Sequence, residues 1–374
     1  MPIPCRRPLF FSLFLLLFAC AGMPASAQPA YALVFGPENS SSSAIDRSGR
    51  IVGQAGGLAF LWDSGTISEL GTLGGAGSAA FGISSNGYIT GAADRLDGSS
   101  HAFLLNGTGT IGDVGQLGVS SSGAGVNRAG QVAGTWIDEA GESHAFLYSG
   151  GVARDIGNLG ANSARATGIN GAGAVVGSSF LKGFTSYQAF LYTASGNTGS
   201  ITALGTLGGP SSWAAAINDN WQVAGTSYID DDTQHAFLYS GGVMRDIGSF
   251  GGAFTEARGL NNNGWMVGYS TYADDVPGID FSSAFLYRDG SMFDLNAVVE
   301  RPGLWSILDA YGINDAGQIA ATACTDFGDC RAVLLNPVPE PRPGALLVAG
   351  LALGGAWTGL RRRTRLRSRT HREQ

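Results

Sequence analysis

Seven times between residues 44 and 321 the chain spells one motif: AIDRSGRIVG from 44, FGISSNGYITG from 81, GVNRAGQVAG from 125, GINGAGAVVG from 168, AINDNWQVAG from 216, GLNNNGWMVG from 259 and GINDAGQIAA from 312. Its aliphatic residues Ile45, Ile83, Val126, Ile169, Ile217, Leu260 and Ile313 recur at intervals of 38, 43, 43, 48, 43 and 53. A period near 45 residues marks one supersecondary unit copied along the chain, each copy burying its faces against its neighbours, rather than a string of separate domains.

The units read as four short strands each. A small-residue segment leads into an N-x-x-G turn, where Gly49, Gly87, Gly130, Gly173, Gly264 and Gly317 are placed for positive φ, and a second strand such as QVAGT leaves it. A third strand repeats the word HAFLY (144 and 235), with variants HAFLL at 101, QAFLY at 188, SAFLY at 283 and LAFLW at 58. Phe and Tyr of that word fall on one face and Ala and Leu on the other, as expected of a strand covered on both sides. A fourth strand follows, as in VARDIGNLG, VMRDIGSFG and TISELGTLG. With 59 glycines and 14% charged residues, the composition suits strands and turns rather than helices. The expected fold is all-β: a seven-bladed β-propeller of four-stranded antiparallel blades, with a β-solenoid as the alternative. The seventh unit has no fourth strand of its own, and the strand at 31–35 is placed to complete it and latch the ring.

Both ends carry signals of another kind. Residues 1–27 have Arg6 and Arg7, the apolar run LFFSLFLLLFA and then Ala25-Ser26-Ala27, the layout of a secretory signal peptide cleaved before Gln28. An uncleaved anchor or lipidation at Cys20 are the alternatives, and all three imply export. At the other end, Val338-Pro339-Glu340-Pro341 precedes an uncharged stretch, 344–360, at the lower limit for a transmembrane helix. Arg361, Arg362, Arg363 and further arginines follow, which the positive-inside rule keeps cytoplasmic.

This tripartite end, 338–374, resembles the PEP-CTERM sorting signal of Gram-negative bacteria, although its basic tail runs on beyond the first three arginines. The resemblance implies an exosortase partner in the inner membrane, a membrane-anchored precursor, and delivery to the cell surface or an exopolysaccharide matrix. The middle, 28–337, resembles the HAF repeat of bacterial extracellular proteins, which implies secretion and repetition and supplies no catalytic residues.

The middle holds 27 acidic against 12 basic side chains, which argues against a nucleic-acid partner. Many acids lie in loops between second and third strands, among them Asp230, Asp231 and Asp232. Such a rim could bind Ca²⁺ or simply solvate the face, and no loop has the spacing of an EF-hand. His101, His144 and His235 open the HAF word in three units, whose divergence around a ring favours a structural over a metal-binding role. Cys324 and Cys330 bracket TDFGD and suit a loop-closing disulfide in an oxidising compartment. No nucleophile stands in a recognisable catalytic context and no cofactor motif occurs, so the expected function is a non-catalytic scaffold for binding or adhesion. A glycan-active hydrolase or lyase is the alternative. Where six units have the turn glycine, the fifth has Trp221. Either Asn220 takes the positive φ or the turn is of another type, leaving Trp221 as a sugar-stacking platform on that face or packed against a neighbouring blade.

Overall fold

A computed structural model describes residues 30–338 except 108, 184–185, 196–197, 274–281 and 300–303. The protein is all-β: five four-stranded sheets, and one eight-stranded sheet in which two further four-strand runs are joined by a single parallel pairing of Gln234 with Phe254. In the third repeat unit the order is Ser120–Val126, Val132–Ile137, Ser143–Ser149 and Val152–Asp155, each antiparallel to the last, and the other units follow it. The first strands of the units, from Ser40–Ile45 to Ser306–Ile313, touch in cyclic order, and the last returns to the first. They enclose an axial channel. Its mouth, about 210 Å³, is walled by the aliphatic residue of every motif copy and the two residues after it. This is β-propeller architecture, in which radial packing leaves only short protected edges.

The seventh unit contributes three strands of its own. Its fourth is Tyr31–Glu38, antiparallel to Cys330–Pro337 with Leu33 opposite Leu335, and Arg331 reaches Glu38 at 2.5 Å. The long interval before this unit contains the one helix among the described residues, Leu295–Val298, capped by the Asp294 carboxylate on the Asn296 amide at 2.7 Å.

Every inner strand carries a β-bulge at the same place. The pairing to the second strand skips one residue at Ser43, Phe81, Ala124, Thr167, Ala215, Arg258 and Tyr311. Opposite the residue before the bulge stands the last glycine of the motif, as Gly225 stands opposite Ala214. A Cβ on Gly225 would collide with the Trp213 carbonyl and come within 2.6 Å of the Phe237 ring. The glycine is therefore fixed by close approach of a bulged backbone on one side and the Phe of the HAF word on the other. That is why the word recurs. Phe60, Phe103, Phe146, Phe190, Phe237 and Phe285 are all buried to within 1%. Where the seventh unit has Ala321 instead of glycine, its partner across the ladder is Val333 instead of phenylalanine.

The turn asparagines do two jobs. Asn218 Oδ1 accepts from the Asn220 and Gln222 amides, while its Nδ2 donates to the Asn261 carbonyl of the next unit at 2.9 Å. The same link runs from Asn127 to the Asn170 carbonyl, from Asn170 to Asn218, from Asn261 to Asn314, and from Asn314 to Asp46. Trp221 corrects the sequence expectation: it takes the left-handed conformation itself, at φ 61°, and its amide closes the turn on the Asn218 carbonyl at 3.2 Å as the glycines do. In the other six units the missing Cβ of the turn glycine faces the side chain that follows the turn in the preceding unit, as Gly173 faces Gln131 and Gly317 faces Trp265. Before Trp221 that position is Ala174, the smallest of the set, and it is 2% exposed. A large turn residue is thus matched by a small neighbour.

Candidate functional site

Two positions of each axis-lining inner strand are the bulge residue and the residue two places before it. In the first three units these axial positions are mostly small: Ser41 and Ser43, Ala79 and Phe81, Ser122 and Ala124. From the fourth unit onward they become Arg165 and Thr167, Trp213 and Ala215, Glu256 and Arg258, Asp309 and Tyr311. On one side of the ring Phe81 is the single large residue at these positions; the other side has an indole, two carboxylates, two guanidinium groups and a phenol.

Four of these side chains, Glu256, Arg258, Asp309 and Tyr311, form a connected cluster. Arg258 Nη1 lies 2.7 Å from Glu256 Oε1, and its Nε donates to Asp309 Oδ2 at 3.1 Å, from the sixth unit to the seventh. The Arg258 guanidinium also stands over the rings of Tyr269 (5.6 Å) and Tyr311 (5.8 Å), and the Tyr269 hydroxyl donates to Glu256 Oε2 at 3.0 Å. Asp309 Oδ1 is buried with no hydrogen-bond partner. Burial, opposed by the Arg258 charge, pushes the Asp309 carboxyl up to about 6, and burial with the Glu256 charge pushes the Tyr269 phenol up to about 12. Beside this cluster lies a cavity of about 510 Å³, walled by Trp213, Thr167, Ala215, Thr226, Gln234, Glu256 and Arg258. Trp213 packs in tilted contact with Tyr228 (centroids 5.7 Å apart) and Tyr187 (6.4 Å). An aromatic wall with a few fixed polar groups suits a small polar ligand.

Sequence reasoning did not single out this cluster. Its signal is legible in hindsight: at two positions per unit, four and two places before the motif's aliphatic residue, the copies stop agreeing.

The residues that the sequence did single out lie elsewhere. Trp221 is 45% exposed in the N-x-x-G turn, at the end of the inner strand away from Trp213. Asp230, Asp231 and Asp232 lie in the loop after Tyr228, where Asp230 accepts from the Asp232 and Thr233 amides at 3.0 and 2.7 Å, bonds that lower its pKa. Asp97 and Asp138 serve their loops alike, with pKa values lowered by bonds led by Ser99 and Glu142, so part of the acidic rim is turn chemistry. Asp138, Glu142 and His144 bring three ligand atoms within 4.8 Å, with Asp138 already bound to two backbone amides and to the His144 ring. The HAF histidines pair with the aspartate of the fourth strand: His101 with Asp113 at 3.0 Å, His144 with Asp155 at 3.4 Å and His235 with Asp246 at 2.8 Å. In the sixth unit Ser283 bonds Asp294 in the same way. Cys324 and Cys330 are bonded across the final hairpin, their Cα atoms 4.1 Å apart. Val338 donates its amide to the Ala30 carbonyl at 2.8 Å. The rest of the tail, Pro339 to Arg363 included, and the segment 1–27 lie outside the described residues. No helix among the described residues is long and apolar enough to cross a membrane.

No family model and no curated protein matches the sequence. Solved structures do resemble the fold. The β-propeller domain of the Trilobed protease from Pyrococcus furiosus, described as having an open velcro topology, matches with TM-score 0.52 and 9% identity over 83% of this chain and 99% of that one. The Pyrococcus horikoshii acylaminoacyl peptidase matches with TM-score 0.54 and 11% identity over 83% and 54%, and TolB from Acinetobacter baumannii with 0.45 and 14% over 79% and 65%. The chain thus spans about half of the peptidase and just under two thirds of that TolB. At these identities the likeness concerns the fold alone: this chain folds as a β-propeller.

Proposed function

We propose that this protein is an exported, seven-bladed propeller that acts as a non-catalytic binding scaffold for exopolysaccharide at the cell surface or in the extracellular matrix. The seven motif copies, the four-strand runs and the N-terminal strand paired into the last of them support the blade count. The signal-peptide layout of 1–27 and the PEP-CTERM-like order of 338–374 support export followed by exosortase sorting from the inner membrane. The observation that carries a binding role is the cavity walled by Trp213, Gln234, Glu256 and Arg258 on an axis otherwise lined largely by small residues. Aromatic planes stack on the apolar face of a pyranose, while carboxylates and amides take up its hydroxyls.

The second reading is a glycan-active enzyme. It is favoured by Asp309, whose carboxyl is pushed up to about 6 and shares Arg258 with the Glu256 carboxylate, a pairing that suits an acid and a base. Incubation of the purified full-length chain with the host's exopolysaccharide separates the two. Retention on the polymer without new reducing ends is the result expected for a scaffold; release of oligosaccharides, abolished by Asp309→Asn, would make the protein an enzyme.

A further inference from the structure

We infer that the axial cavity is a subsite for a saccharide unit without acidic groups, seated with its ring on Trp213 and its hydroxyls toward Glu256 and Gln234. The inference rests on the glycan-binding reading and adds the place and the charge class of the ligand. The place follows from the repeat. A propeller axis built by seven copies of one motif has no reason to be asymmetric, yet the large polar and aromatic axial residues are concentrated in units four to seven. Three of the side chains walling the cavity, Trp213, Glu256 and Arg258, are such axial departures.

The charge class follows from the ion pairs. A lone arginine beside an indole would suit a uronate or a sulfated sugar, but Arg258 is spanned by two carboxylates, Glu256 at 2.7 Å and Asp309 at 3.1 Å. Its charge is already offset, and no other cation is among the residues walling the cavity, so an anionic sugar would find no free fork there. The same contacts make Glu256 a prearranged acceptor. Each of its oxygens has one partner, Arg258 or the Tyr269 hydroxyl, and each keeps acceptor capacity for a sugar hydroxyl. Trp213 is fixed in turn by Tyr228 and Tyr187, so the platform and the acceptor are both ordered before a ligand arrives.

The test presents the full-length chain to immobilised neutral, amino-substituted, uronate-containing and sulfated oligosaccharides, and in parallel to the host exopolysaccharide. The expected result is binding to the neutral or amino-substituted set, weakened at least tenfold by Trp213→Ala and by Gln234→Ala, with Val243→Ala, on an outer strand, as the unaltered control. Should Trp213→Ala lose the fold, as judged by its thermal melt, Trp213→Phe with Gln234→Ala keeps the measurement readable, since phenylalanine retains a smaller platform. Preference for the acidic sets overturns the charge class. Retention on exopolysaccharide that survives Trp213→Ala and Gln234→Ala, or that is lost in Trp221→Ala instead, overturns the subsite and leaves the glycan-binding function standing. Absence of binding by the parent chain to every polymer overturns both.

Discussion

Trp221 and Ala174 are a matched pair of departures from the motif. A bulky residue at φ 61° costs about 1–2 kcal/mol relative to an unstrained conformation. Trp221→Gly removes that cost but leaves two small residues, glycine and Ala174, where other units have a glycine facing a larger side chain, so the single variant should melt close to the parent. Trp221→Gly with Ala174→Gln rebuilds the arrangement of Gly173 and Gln131 and should be more stable than the single variant; thermal melts of the three proteins that fail to show this order would separate the two positions. Asp309 makes a prediction about pH. Its folded pKa of about 6 lies above the reference value of 3.8, so the folded state holds the proton longer than the unfolded chain does. Its contribution to stability is therefore full below about pH 4, is lost between about 4 and 6, and stays lost above, by on the order of 2–3 kcal/mol. The groups facing it are Arg258, Glu256, Tyr269 and Tyr311. The arginine and the tyrosines titrate far above this window, and Glu256 is common to parent and variant. Denaturant unfolding of Asp309→Asn should lack this downward slope from pH 4 to 6; equal slopes in both proteins would remove the assignment.

Within one unit the controlling element is the bulged inner strand with the glycine opposite it. Gly225→Ala should destabilise by about 1–3 kcal/mol, because the Trp213 carbonyl and the Phe237 ring already occupy the space of the new methyl. The seventh unit shows the compensated form, Ala321 opposite Val333. Phe237→Val made together with Gly225→Ala should thus cost less than the sum of the two single changes, with a coupling of about 0.5–3 kcal/mol measured by denaturant unfolding. Simple additivity would mean that the bulge and the HAF phenylalanine are set independently. The same bulge sets the place of Arg258 and Tyr311, so the element that dictates the motif glycine also positions part of the cluster.

At the scale of the whole molecule, the N-terminal strand completes the seventh unit and the C-terminal tail is the proposed address. Tyr31 is buried at 3% and Tyr31–Glu38 covers the strand Cys330–Pro337, so removal of 28–36 exposes a backbone edge and part of the seventh unit's core. The truncated protein should melt many degrees below the parent, and well below a variant that has lost residues of the exposed Asp230 loop; an unchanged midpoint would show that the ring closes without the strand. The address is tested by replacing Glu340 together with Arg361, Arg362 and Arg363. That variant should accumulate in the inner-membrane fraction, and its normal arrival at the surface would overturn the sorting proposal.

The sequence by itself determined the strand count per unit, the turn residues of six units, the alternation of the HAF word and the place of the strand at 31–35, because each depends on local periodicity or on a repeat that can be counted. Tertiary structure decided what the repeat conceals. The bulge is invisible in any one copy, since an extra residue in a short strand leaves no compositional mark; only pairing with the second strand reveals that Phe81, Arg258 and Tyr311 are the surplus residues. The meaning of the HAF histidines likewise depends on a partner some eleven residues away, as for His235 and Asp246. Trp221 is the loudest break in the motif, and only the ring sets it one unit away from Ala174, the smallest residue at the position that faces the turn. The cluster of Glu256, Arg258 and Asp309 comes from two units, 53 residues apart where Arg258 and Tyr311 occupy the same repeat position. Closure around an axis brings such residues together, and no linear spacing encodes that distance.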